Sequence, residues 1–287
     1  MPMPKLNILA QIRIALSVVL PICAIVYAMC PLAAHASELI AETYGGRAAL
    51  IYLPTALPAS GNRALVVVLH GGLGNAQRIA GRLSESALNM DSVADLSGFV
   101  VAYLNGTPVT KRLGADKLGW NAGKCCGQPV EKKIDDVAYL QTTITAIAAK
   151  YGIDRNRIYG VGHSNGAMMT QRMMCETSIY AAAVAISGAL ENDANACPLA
   201  RGKRLMAIHG EDDNNVPITG GKGSKALSST TYLSQTATAE VWRRSGATYD
   251  LQIIKGAEHS TEKIDMRLVE TESKTLVQKI AQYFGLM

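Results

Sequence analysis

Gly162-His163-Ser164-Asn165-Gly166 sets a serine between two glycines, with one residue intervening on either side. That spacing suits a sharp turn from a strand into a helix, which lifts the serine hydroxyl clear of its neighbours in a strained backbone conformation. The glycines let strand and helix approach without side-chain collision. A serine hydroxyl becomes a good nucleophile when an imidazole takes its proton, and a carboxylate then fixes the tautomer of that imidazole. On this kind of turn the chain order is serine, acid, histidine. Downstream of Ser164, His209-Gly210-Glu211-Asp212-Asp213 offers an acid and Gly256-Ala257-Glu258-His259 offers a base. Asp213 is the expected acid, with Asp212 as the alternative. His259 is the expected base, because His35 lies near the N-terminus, His163 occupies the variable position of the turn, and His70 and His209 end apolar runs before glycine.

Acyl transfer also needs donors for the oxyanion that forms on the attacked carbonyl. Leu69-His70-Gly71-Gly72-Leu73-Gly74 is a glycine loop that can turn backbone N–H groups into a site. The expected donors are the N–H groups of Gly72 and Asn165, with Leu73 as the alternative to Gly72 and as a wall for substrate. No G-x-G-x-x-G pattern or P-loop lysine follows, which argues against a phosphate loop.

These residues need elements to hold them. Apolar runs of strand length occur at 64–69, 99–104, 157–161, 182–186 and 204–209, with a further candidate at 250–254. Helical patterns fall between them at roughly 134–151, 165–176, 231–245 and 264–284, the first started by Asp135 or Asp136. Such alternation predicts an α/β fold with a mostly parallel central sheet and helices on both faces. Ligands in such sheets sit beyond the carboxyl ends of the strands, where every motif above falls. The methionines after the turn, Met168, Met169, Met173 and Met174, read as core packing, and so does Trp242.

The N-terminus has the order of a secretory signal: Lys5 and Arg13, an apolar run from Ile14 to Met29, then Ala34-His35-Ala36. Cleavage after Ala36 leaves 37–287 as one catalytic domain, secreted or periplasmic, with no stable membrane association. Formal net charge is only +5 for the whole chain, and no basic run suggests nucleic acid. Four cysteines follow the signal: Cys125, Cys126, Cys175 and Cys197. An even number in an exported chain suggests disulfides. A bond between the neighbours Cys125 and Cys126 would be strained, so each is expected to join one of the other two. No metal site is expected, since the cysteines lack C-x-x-C spacing and nearby histidines.

Several segments together carry a family resemblance. Leu69-His70-Gly71, Gly119-Trp120-Asn121-Ala122-Gly123 with Cys125-Cys126-Gly127, Asp135-Asp136-Val137, the serine turn, and His209-Gly210-x-x-Asp213-x-x-Val216-Pro217 occur in this order. The chain resembles the secreted esterases grouped as polyhydroxybutyrate depolymerases and feruloyl esterases. That resemblance implies the α/β-hydrolase fold, no cofactor, and a polyester or an aryl ester as the partner substrate. It also favours Asp213 over Asp212, through the spacing to Val216-Pro217. Ser260-Thr261-Glu262-Lys263 follows His259 where many members carry tryptophan-proline-glycine, a difference that bears on acyl preference. Trp120 is expected to line the substrate pocket or to pack in its loop. The competing functions are a serine peptidase or acyltransferase on the same fold, and a non-catalytic binding protein.

Overall fold

Leu65, Val67 and Leu69 of strand β3 (Arg63–Leu69) join one buried apolar cluster, while Ala64, Val66 and Val68 join another on the opposite side. Side chains alternate across a strand, so a continuous apolar run belongs to a strand covered on both faces. The structure, a computed structural model, describes residues 1–2, 36–192, 195, 197–226 and 228–287. Apart from residues 1–2 and 36, the expected signal segment lies outside the described residues. All elements below belong to one compact unit, Ala34–Met287.

The first elements among the described residues form an antiparallel hairpin, β1 (Glu38–Tyr44) and β2 (Arg47–Leu53), turned at Gly45-Gly46, both with positive φ. After β3 come two short helices, α1 (Ala76–Ile79) and α2 (Asp91–Ser97), then β4 (Val100–Leu104). A two-stranded ribbon, β5 (Thr107–Pro108) with β6 (Leu118–Gly119), leads to α3 (Gln128–Glu131) and α4 (Asp136–Tyr151). The serine turn at Ser164 joins β7 (Ile153–His163) to α5 (Asn165–Glu176). Then follow β8 (Ala182–Ile186), β9 (Arg204–Gly210), α6 (Gln235–Arg244), β10 (Thr248–Ile254), α7 (Thr261–Glu272) and α8 (Leu276–Tyr283).

The main sheet has the order β1-β2-β4-β3-β7-β8-β9-β10. From β4 to β10 every neighbour is parallel; the antiparallel pairings, β1 with β2 and β2 with β4, lie at one edge. Helices α4, α5 and α6 bury residues in one apolar cluster, and α1, α2, α7 and α8 in the other. The expected α/β-hydrolase architecture, a mostly parallel sheet covered on both faces, is therefore present.

Differences in detail have local causes. Strand β1 mixes polar with apolar residues and none of it is fully buried at the sheet edge, so it lacks the long apolar run that marks the central strands. The single helix expected over 264–284 is two helices. Ser273 adopts φ 53, and Thr275 opens α8 with a capping box to Gln278, which starts a new helix rather than continuing the old one. Asp135 is the cap of α4, its side chain accepting from the Ala138 N–H.

The disulfide pairing differs from expectation. Cys175, near the end of α5, and Cys197, just before a short 3-10 turn, approach to 4.4 Å between Cα atoms and are bonded. This uses up both expected partners of Cys125 and Cys126, which are bonded to each other.

The glycines of the serine turn are set by close approach. A Cβ on Gly166 would lie well inside van der Waals contact of the carbonyl oxygens of Leu69 and His70, and one on Gly162 would collide with the backbone of Gly166. Backbone atoms cannot swing aside, so Gly166→Ala is expected to cost about 3 kcal/mol or more. That corresponds to a Tm lower by roughly 6–12 °C, read by thermal denaturation. An unchanged melting curve would contradict the close packing of α5 on β3.

Candidate active site

Ser164 sits between β7 and α5 with φ 53, a left-handed conformation that a serine adopts only when its surroundings hold it there. Its N–H donates to the Ile186 carbonyl at the end of β8. The turn exposes the hydroxyl at the carboxyl edge of the sheet. There Ser164 Oγ lies 3.0 Å from His259 Nε2, and His259 Nδ1 lies 2.8 Å from Asp213 Oδ2.

Asp213 occupies the loop after β9 and its side chain is fully buried. Its Oδ1 accepts the backbone N–H groups of Asn215 and Val216 at 2.8 and 2.9 Å. Burial works against the charge, but hydrogen bonds from His209 and His259, the His259 ring itself and the Val216 N–H outweigh it. The carboxyl is held well below its usual range. Asp212 is exposed, and the carboxylate bonded to His259 is that of Asp213.

His259 lies in the loop between β10 and α7, immediately before Ser260, whose side chain caps α7 by accepting from the Lys263 N–H. His163 braces this loop. Its Nε2–H donates to the His259 carbonyl at 2.9 Å, and the two rings sit 5.0 Å apart between centroids. Burial, with the neighbouring His259 second, pushes the His163 pKa down to about 4, so the uncharged ring makes this contact. In the sequence His163 stands out only as the variable residue of the turn.

The glycine loop after β3 runs against the serine turn. A side chain on Gly71 would meet Ser164 Cβ at 3.3 Å, and one on Gly72 would meet Asn165 Cβ at 3.9 Å. Leu73, with φ 65, continues the loop along the cavity wall. The N–H of Asn165, the first residue of α5, has no carbonyl within its own helix to bond. His70 pins the loop. Gly106 N–H donates to its Nε2 at 3.1 Å, so Nδ1 carries the hydrogen and donates to the Gly71 carbonyl at 2.8 Å. Burial pushes the His70 pKa down to about 4, in keeping with an uncharged ring.

Trp120, expected at the substrate pocket or packed in its loop, is packed. It is fully buried and is not among the residues lining the cavity. Its indole N–H donates to the His70 carbonyl at 2.9 Å, and its backbone N–H and carbonyl engage the Asn165 side chain at 2.7 and 3.1 Å. The large apolar ring stays out of water because its one donor is satisfied inside. Trp120 thus ties the glycine loop to the start of α5.

Glu191 holds the same region from beneath. It is buried; its Oε1 accepts from the Leu233 N–H and its carbonyl from the Lys124 N–H. Burial pushes its pKa up to about 7, against the smaller effects of the Leu233 bond and the Lys124 charge. A raised carboxyl pKa means that the folded state binds the proton more tightly. Stability is therefore lost as pH rises from the ordinary carboxyl range through about 7. Glu191→Gln is expected to gain up to about 3 kcal/mol at pH 8 and almost nothing near pH 4.5. Melting curves of both proteins at the two pH values check this, and equal differences at both would refute it.

Ser164, His259, Gly71, Gly72, Leu73 and Asn165 face a cavity of about 840 Å³. Ile79, Leu88, Val109, Leu113 and Val130 give it apolar walls, and Arg78, Glu85, Lys124, Glu131 and Glu262 give it charge. Among the described residues no cluster of histidine, cysteine, aspartate and glutamate could hold a metal ion, and no helix is long and apolar enough to cross a membrane.

A family model described as phospholipase/carboxylesterase matches residues 54–276. The chain belongs to this family. Feruloyl esterase B of Piromyces equi is 28% identical over 181 residues, which cover 61% of this chain and 31% of that protein. A putative esterase, NocK, of Nocardia uniformis subsp. tsuyamanensis is 27% identical over 162 residues, covering 55% of this chain and 42% of that protein. The chain thus spans less than half the length of either relative. Among solved structures, an acetyl xylan esterase from Aspergillus awamori superposes with a TM-score of 0.57 at 15% identity, over 88% of this chain and all of that one. A feruloyl esterase module from Clostridium thermocellum, complexed with sinapinate, gives 0.51 at 16% identity, over 82% and 86% of the two chains. At such identities these structures speak for the fold. The expected kinship with esterases, feruloyl esterases included, holds.

Proposed function

We propose that residues 37–287 form a secreted serine esterase domain, released from a signal at 1–36, that cleaves carboxylic esters through an acyl-enzyme. The observation that carries this reading is the unbroken line from Asp213 through His259 to Ser164, with contacts of 2.8 and 3.0 Å, opening on the cavity. Ser164 Oγ attacks the ester carbonyl as His259 Nε2 takes its proton, and Asp213 stabilises the imidazolium that forms. The N–H groups of Gly72 and Asn165 receive the oxyanion, each worth ~3 kcal/mol in the transition state. His259 returns the proton to the leaving alcohol, then activates a water that frees the acid and restores Ser164.

The substrate is an aryl ester of the feruloyl kind or a short stretch of polyester. A cavity with apolar walls and charged patches suits an acyl group that is apolar along its length and carries polar substituents. The relative named feruloyl esterase B supports the aryl branch. Thr261 and Glu262, from the segment that departs from the family pattern, line this cavity, so the acyl preference is set partly there.

The test is turnover of p-nitrophenyl esters of rising length, methyl ferulate and a hydroxybutyrate oligomer, with labelling of Ser164 by a fluorophosphonate. Ester turnover with the label on Ser164 supports the reading, and the best substrate names the branch. Cleavage of peptide amides with no ester turnover would replace it by a peptidase.

A further inference from the structure

Behind the Asp213 carboxylate runs a line of buried polar side chains that the proposed reaction does not use directly. His209, the penultimate residue of β9, is fully buried. Its Nε2 lies 3.1 Å from Asp213 Oδ2 and 2.8 Å from the Val216 carbonyl oxygen. A carboxylate and a carbonyl only accept, so this nitrogen must carry the hydrogen. On the other side of the ring, Nδ1 lies 2.9 Å from Gln235 Nε2, at the start of α6. That amide is oriented from two directions. Its Nε2 also donates to the Gly188 carbonyl at 3.3 Å, while its Oε1 accepts from the Tyr249 hydroxyl of β10 at 2.5 Å. Reversing it would set two oxygens against each other at Gly188. The Nδ1 atom is therefore an acceptor, and the ring is fixed as the Nε2–H tautomer.

We propose that Tyr249, Gln235 and His209 form a positioning arm that holds Asp213 Oδ2 in place and, through it, the tautomer and ring plane of His259 during acyl transfer. The proposal rests on the reading of Ser164, His259 and Asp213 given above. Its physical content is a division of labour on one carboxylate. The backbone of Asn215 and Val216 fixes Oδ1, whereas Oδ2 would be held by His259 alone without His209. A carboxylate tethered on one oxygen can rotate about the bond to Cβ, and His259, in a loop, would follow it. The arm draws on three elements, β9, α6 and β10, so it ties Asp213 to the edge of the sheet. None of the three side chains touches the reacting atoms; they act through Asp213.

Gln235→Glu is the sharpest test. At a pH where the new carboxylate is ionised, it puts an acceptor opposite His209 Nδ1, so the ring must take a proton there. Either Nε2 loses its hydrogen and turns a lone pair towards Asp213, or the ring becomes charged and neutralises part of the carboxylate's charge. In both cases His259 is less well supported. The expected result is a kcat lower by about 10–100-fold with KM within about twofold. His209→Leu should behave alike, and His209→Gln, whose amide can donate near the Nε2 position, should recover most of the loss. Histidine ¹⁵N spectra should show His209 of the native protein protonated at Nε2 only, and changed in Gln235→Glu.

Melting curves establish that each variant is folded, and if His209→Leu is not, the two glutamine-based variants decide. Native kcat in folded Gln235→Glu and His209→Leu, or a proton on Nδ1 of native His209, would overturn the arm. Ser164→Ala separates the two levels. If it is inactive while the arm variants keep native kcat, only the arm falls. If Ser164→Ala itself keeps native turnover, the triad falls and the arm with it.

Discussion

Ser164→Ala is expected to lower ester turnover by about 10⁶-fold, with KM little changed. The cavity and the oxyanion donors persist in the variant, so substrate still binds and is still polarised. What disappears is the covalent route. No other hydroxyl stands 3.0 Å from His259 Nε2 among the described hydrogen bonds. The oxyanion donors and substrate binding alone leave a residual rate of about 10³–10⁴ over the uncatalysed reaction. Because the three side chains act as a unit, His259→Ala should fall nearly as far, and the double variant should be hardly worse than either alone. The measurement is steady-state hydrolysis of a p-nitrophenyl ester by protein free of native contamination. Retention of more than about 1% of kcat in Ser164→Ala would end the nucleophile assignment, given the size of the expected loss.

Much of this site can be read without coordinates because each motif carries a local rule. The G-x-S-x-G spacing fixes a turn, and apolar runs fix the strands that end beside it; β8 and the start and end of α5 fall where periodicity puts them. The order serine, acid, histidine then leaves few candidates in one chain. What the sequence hides are side chains whose role depends on a distant neighbour. His209 ends an apolar strand and resembles an ordinary core residue until the fold sets it against Asp213, Gln235 and Tyr249. His163 looks like packing until the loop of His259 lies over it. Trp120 is ambiguous for the opposite reason. A large aromatic beside an active site can face substrate or face inward, and only the carbonyl of His70 within reach of its indole decides for the interior. The four cysteines show the same limit. Their pairing depends on the end of α5 meeting the chain at Cys197, a contact with no sequence signature.

Asp213→Asn should lower kcat by about 10⁴-fold while leaving the fold intact. The reason is a count of donors. Oδ1 of Asp213 faces two backbone N–H groups, and Oδ2 faces His259 Nδ1 and His209 Nε2. An asparagine has one oxygen to offer and must turn an NH₂ towards one of these pairs. Backbone donors cannot reverse, but an imidazole can, so the oxygen stays with Asn215 and Val216 and the NH₂ faces the rings. His259 then accepts at Nδ1 and carries its hydrogen on Nε2, pointing at Ser164, where it can no longer take the serine's proton. Stability has its own sign. The Asp213 carboxyl is held below its usual range, so its charge stabilises the fold above that range, and the contribution fades as pH falls through the lowered pKa. Asp213→Asn should therefore melt lower than the native protein at pH 7, with the difference shrinking in strong acid. Asp212→Asn is the control: its carboxylate is exposed, and kcat should stay within about twofold. A loss in Asp212→Asn with full activity in Asp213→Asn would move the acid one residue along the chain and break the donor argument with it.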